Sequence, residues 1–359
     1  MDASKKNQNQ EAGEGSVQSQ VIGDGTIYTD QSVTNVTNIG MTPDQIATFT
    51  ATVSTQVMKQ ALTFCTEVAA ETAKVRMSLF EEKWISRLST IESIEEKLKD
   101  PKFQFMIRDA NITAAKSDRE EDLSVLSELL ACHVEKGSDK KVDAGISRAI
   151  NIVNEIDNDA LCALTLLVAI LRTVPVSGDV EEGLSVVDEL YSKLIYLDLP
   201  EGSSWIDHVN VLGCGSVTSQ KYKPFTTLFC SNNPGYACVG IQRDSEDHKQ
   251  AVELLANNGY NDSVLVPNVL LEGYLRLPVN KLSELKEELK PIVSLYSKDS
   301  ELQRQVETAL MDKLDSYKSI RKVKEWFDRL PFYIKINSIG LALAQTNAKR
   351  CYANFPDLI

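Results

Sequence analysis

The sequence predicts a mainly α-helical protein with a β-structured N-terminal segment and a small β-hairpin set into its C-terminal part. Three observations carry this expectation. Apolar residues recur at steps of three or four over most of 43–330, as one buried helix face requires. Caps, prolines and glycines interrupt that pattern at helix-length intervals. Residues 16–40 break it, with Val, Ile, Thr, Ser, Gln and Asn in abundance and no Lys or Arg.

Residues 1–15 are polar and read as a disordered tail. In 16–40, Val17, Val21, Ile27, Val33 and Ile39 fall in short extended pieces around the turn Gly23-Asp24-Gly25. A lone hairpin buries too little to stand by itself, and its open edges recruit further strands. Two readings stay open here, a disordered tail or a β-rich oligomerisation segment shared between copies. Thr42 and Pro43 then open a helix with an apolar stripe that includes Val53, Val57, Val68, Val75, Leu79, Trp84 and Leu88. No Pro or Gly lies between Pro43 and Pro101, so 41–100 reads as one long, coiled-coil-like helix that packs against partners. The alternative is two antiparallel helices with a break near Thr72 or Ser89.

Asp100-Pro101 ends that stretch, and 101–200 reads as a bundle of about five helices. Ser117 to Glu120 reads as a helix start, Gly137-Ser138 as its exit, and Pro175 to Asp179 as a loop. Residues 201–359 read as an α+β domain. Within it, 222–229 and 236–241 look extended on either side of Asn233-Pro234-Gly235, which suggests a winged-helix-like hairpin. Helices are expected over 246–257, 279–297 and 299–327.

Composition narrows the function classes. The chain has 359 residues, 43% hydrophobic, and a formal net charge of −13. So acidic a surface repels phosphate, and sequence-independent nucleic-acid binding is not expected. Seven widely spaced cysteines with no CxxC pair read as free thiols in a reducing cytoplasm. The polar N-terminus lacks the features of a signal peptide. The longest apolar run, ALCALTLLVAIL at 160–171, is too short for roughly 30 Å of hydrocarbon, so no membrane span is expected.

Few residues point to chemistry. Gly213-Cys214-Gly215-Ser216 has the glycines of a phosphate loop but no Lys after the second one, and Thr218 stands where a dinucleotide motif needs its third Gly. A tight turn is the plainer reading. Cys132 and His133 are neighbours on a helix and point about 100° apart. His208 with Cys214 or Cys230 is the best nucleophile–base arrangement available, and nothing in the sequence orders a third group. No cofactor or metal site is expected. Lys318, Arg321, Lys322 and Lys324 precede Trp326-Phe327 on one helix and form a candidate patch for an acidic partner, against the plain alternative of a solvated face.

Four segments carry a family resemblance. QEAGEGSVQSQVIGDGTIY resembles a Gly-punctuated N-terminal motif of bacterial defence-island proteins, and TEVAAETAKVRMSLFEEKWISRL resembles the helix that follows it there. DPKFQFMIRDANITAAKSDREEDLSVLSELL resembles the helical unit of the abortive-infection alpha group. FYIKINSIGLALAQTN resembles that group's C-terminal T-x-x-G segment, with Asn337 where the Thr stands, before Gly340. The resemblance implies an oligomeric antiphage or abortive-infection component acting as an interaction or sensor protein, with itself and a phage or host protein as partners. It assigns no catalytic residues. The alternatives are a nucleic-acid-binding regulator built on the winged-helix-like unit and an enzyme with a site near His208 and Cys214.

Overall fold

Residues 160–170 are apolar on every side but for Thr165, and a helix of that kind is stable only when surrounded. In the computed structural model, which describes residues 43–61, 66–91, 94–137 and 139–359, that run is the buried centre of α7 (Asn158–Arg172). Every residue from Ala160 to Ile170 is buried there. The disordered-tail and β-segment expectations, including Val17, Val21, Ile27, Val33 and Ile39, lie outside the described residues.

The described residues are mainly helical, with fifteen α-helices and two small antiparallel sheets. The 41–100 stretch is not one helix. It forms α1 (Pro43–Ala61), α2 (Glu67–Leu88) and the short α3 (Ile94–Leu98). Thr66 adopts extended backbone at φ −65°, ψ 158° and accepts a hydrogen bond from the Ala69 N–H, so α2 begins afresh there. Ser89 closes it. α1 and α2 both pack against α4 (Pro101–Lys116), and α2 also packs against α5 (Glu120–Lys136). The stalk expected from the periodicity is thus folded back into the bundle, because the row Met77, Phe80, Trp84, Leu88 is buried inside this same chain.

Asp100 caps α4 through the Lys102 N–H, with Pro101 at the first helical position, as the sequence signals require. Ser117 ends α4 rather than starting α5, and its hydroxyl hydrogen-bonds the Asp122 carboxylate. α6 (Lys140–Ile152) and α15 (Ser338–Cys351) pack side by side, and α15 also lies against α5 and α7. One continuous core therefore contains Phe80, Leu129, Leu164, Leu184, Trp326 and Leu343, so the boundary expected at residue 200 falls inside it. α8 (Val180–Leu194) and α9 (Ser204–Val211) cover the other side of α7.

The small antiparallel strands do not fall at 222–229 and 236–241 as a hairpin. Pro224 opens α10 (Phe225–Asn232) where 222–229 reads as strand, because Phe225 and Phe229 stack one helical turn apart at 6.0 Å and are both buried. Strand β1 (Gly215–Thr218) pairs instead with β5 (Tyr333–Ile336), Gly215 facing Ile336 and Thr218 facing Tyr333. A second sheet joins β2 (Ile241–Gln242), β4 (Tyr274–Arg276) and β3 (Val266–Pro267) in that order. α11 (Glu246–Asn257) covers it and closes a separate small core around Leu255, Leu275 and Ile292. The helix expected over 279–297 reduces to two 3-10 turns and α12 (Lys290–Val293).

A buried polar joint ties this small core to the bundle. Arg276, 2% exposed, donates to the carbonyl oxygens of Gly178 at 2.6 Å and Gly235 at 3.1 Å. Asn280 donates to the Pro175 carbonyl at 2.5 Å. Only glycine fits at 178, where a Cβ would sit 1.7 Å from the Pro278 carbonyl oxygen. No helix among the described residues is long and apolar enough to cross a membrane.

Candidate functional site

At 100° per residue, one helix face cannot hold both Phe80 and Val75. The single stripe read from the sequence separates into two faces of α2. Met77, Phe80, Trp84 and Leu88 point into the core, while Val68, Val75 and Leu79 are 78%, 54% and 44% exposed on the opposite side. Thr72, also exposed, completes a row with steps of four, three and four residues. Of the expected oligomerisation residues, Leu79 alone lies on this outer row. Val57, 4% exposed, and the half-buried Val53 face their own chain's core. Val68 and Val75 belong with Leu79 and share its helical spacing.

Beside α2 runs a polar groove made of two adjoining cavities of about 650 and 530 Å³, both lined by Arg87, Thr90 and Glu128. Arg87 donates to Glu128 at 2.9 Å and to Glu135 at 3.1 Å. Burial works against the Arg87 charge, but these two carboxylates outweigh it and hold the guanidinium pKa up. The far wall is the chain's last stretch, where Phe355 is buried, Asp357 pairs with Lys349, and the Leu358 N–H donates to Gln345 at 2.6 Å. Among the described residues the walls carry ion pairs and hydroxyls but no thiol or imidazole. This groove can bind a polar group by exchanging ion-pair partners. Its described residues hold no thiol–imidazole couple.

The groups expected to carry chemistry are dispersed. His208 lies 3.1 Å from the Glu155 carbonyl oxygen and accepts from the Asp157 N–H at 3.3 Å, so it faces the end of the preceding bundle rather than Cys214 or Cys230. Burial pushes the Cys214 thiol up to about 12. Cys230 and Cys238 share a cavity of about 480 Å³ with Gln303 and Glu307, and burial raises both thiols to about 11. Such thiols are protonated and unreactive near neutrality. Gly213 turns at φ +69°, and its carbonyl accepts from the Asn337 side chain at 2.7 Å, so the glycine pair forms a turn seated on the start of α15. Among the described residues, no three His, Cys, Asp or Glu side chains are placed to share a metal ion.

The basic run divides. α14 (Lys318–Asp328) presents Lys318 and Arg321 to solvent, while Lys324 is 2.7 Å from Asp315 and Lys322 is 3.8 Å from Asp198. Half of the expected patch is thus engaged with carboxylates of its own chain.

One titratable pair escapes sequence reasoning altogether. His133, 4% exposed, stacks on Phe103 at 5.3 Å with its Nδ1 2.8 Å from an Asp143 oxygen. Lys102 pairs with the other oxygen. Burial, then Lys102 and Lys97, hold the imidazole pKa down to about 4. His133 is therefore neutral near pH 7, and Asp143 balances Lys102. Residues 133 and 143 sit on different helices, so no local spacing announces the pair.

A family model described only as ":-like" matches residues 47–358, from the second turn of α1 nearly to the end of the sequence. No curated protein and no solved structure matches the chain.

Proposed function

We propose, from the premise that the chain belongs to the family matched over residues 47–358, that it is a cytoplasmic, self-associating interaction protein of bacterial antiphage or abortive-infection defence. The single observation that carries the interaction reading is the outer row of α2. Single exposed apolar side chains are ordinary, but a contiguous apolar row on one helix face marks an interaction surface. The defence assignment rests on the four resembling segments, two of which form α2 and the α4–α5 pair that supports it. A signal would be passed by assembly and by contact with a phage or host protein, with no bond made or broken by this chain.

The alternatives lose their particular support. The regulator reading needed a β-hairpin at 222–241, where the chain forms α10. The enzyme reading needed His208 beside a thiol, and His208 is engaged with residues 155–157. A phage-challenge assay tests the proposal. Protection should survive His208→Gln and Cys214→Ala in variants of unchanged melting temperature and fall when residues 1–40 are deleted. Loss of protection in a folded His208→Gln variant would return the chain to the enzymes.

A further inference from the structure

We infer that the outer face of α2 is where two copies of this chain meet, each α2 lying parallel to and in register with the other; this rests on the self-association reading above. Val68, Thr72, Val75 and Leu79 follow the alternating steps of four and three that keep a seam facing a partner helix. The seam lies opposite the buried row, so a second helix seats on it without displacing α4 or α5, which pack behind. Apolar character stops at Glu82 and Ser86, which limits the seam to about two heptads. So short a seam would not order a free peptide, but α2 is already held helical by its inner face. Pairing therefore carries no cost of helix formation.

The charges beside the seam select a second copy and its direction. Glu71 flanks the seam just before Thr72, and Arg76 flanks it on the other side just after Val75. In a parallel pair, a residue on the first flank meets the residue five places further along the partner helix on its second flank. Glu71 of each copy then meets Arg76 of the other, and the two-fold axis doubles the contact. An antiparallel pair would set like flanks together and lose both contacts. The groups are open to this use. Within its own chain Glu71 reaches Lys74 at 3.3 Å, with both side chains at least half exposed. Arg76 uses Nη1 on the carbonyls of Ala115 and Lys116 and has no carboxylate partner among the described contacts.

Sedimentation of the full-length protein tests this. Glu71→Arg and Arg76→Glu each set like charges across the seam and should weaken association by about threefold to tenfold. The double variant, with the charges exchanged, should recover most of the loss. Val75→Asp brings two carboxylates together at the seam and should weaken association by more than about tenfold. Melting temperatures check folding. Because Glu71 and Val75 are exposed, Glu71→Arg and Val75→Asp decide the matter if Arg76→Glu disturbs the end of α4. Association as tight as wild type in both would overturn this interface and leave self-association through another surface standing. A wild-type protein that stays monomeric would overturn both.

Discussion

Gly340 is the place where a single methyl group should decide whether α15 seats. In the interior of a free helix, Gly→Ala is stabilising by about 1 kcal/mol. Here the added Cβ would lie 2.2 Å from the Cys214 carbonyl oxygen, far inside the roughly 3.5 Å at which such atoms rest. Neither atom is on a flexible side chain. The Cys214 amide is bonded to the Val209 carbonyl at 3.0 Å, which fixes the turn. Relief requires lifting the start of α15 away from that turn. Lifting stretches the bonds from the Asn337 amide to the Cys214 carbonyl, 3.2 Å, and from the Asn337 side chain to the Gly213 carbonyl, 2.7 Å. Each contributes about 1 kcal/mol, and overpacking in a filled interior costs about 1–3 kcal/mol more. Against the propensity gain, Gly340→Ala should lose about 2–4 kcal/mol net. Urea denaturation followed by helical circular dichroism reads this as a lowered midpoint at unchanged slope. A variant as stable as wild type would show that this contact does not seat α15.

Further outcomes follow from burial and charge. Val57→Asp sets a carboxylate at a position 4% exposed in its own chain, so it should lower the melting temperature. Val75→Asp on the outer face should leave the unfolding free energy of the isolated chain within about 1 kcal/mol of wild type. The unfolded chain takes up the His133 proton near pH 6.5, and the folded chain only near 4. Its neutral form therefore supports the fold fully above pH 6.5, and that support is lost as pH falls through 6.5 towards 4. The window is worth up to about 3 kcal/mol. His133→Asn removes the titration, so stability between pH 4 and 7 should fall less steeply than in wild type. Equal pH slopes would remove His133 from the account.

The elements legible in the sequence are those with local causes. α7 follows from an apolar run, α4 from Asp100-Pro101, and the end of α11 from Gly259 at φ +77°. The T-x-x-G resemblance also has a local meaning. Asn337 caps α15 as a Thr would, by accepting from the Ile339 and Gly340 amides, and Gly340 admits the 213–214 turn. Breaks imposed from a distance were illegible. Residues 299–327 read as one helix, but Asp188 of α8 accepts from the Ser319 and Ile320 amides and starts α14 anew, with Tyr317 left extended between it and α13 (Ser300–Ser316). The strand partner of β1 comes from the far end of the chain, so no turn signal could have paired them. The candidate site was half legible. Period alone found the apolar residues of α2, but only the position of α4 and α5 shows which of them face water.

The central claim is that this chain works as an assembly, and the mass of the intact protein in solution tests it most directly. One chain weighs 39.8 kDa. Light scattering on the full-length protein at tens of micromolar should return a whole multiple of that mass, falling when Val75 and Leu79 are both replaced by Asp. A wild-type mass equal to a single chain across that range would contradict the claim.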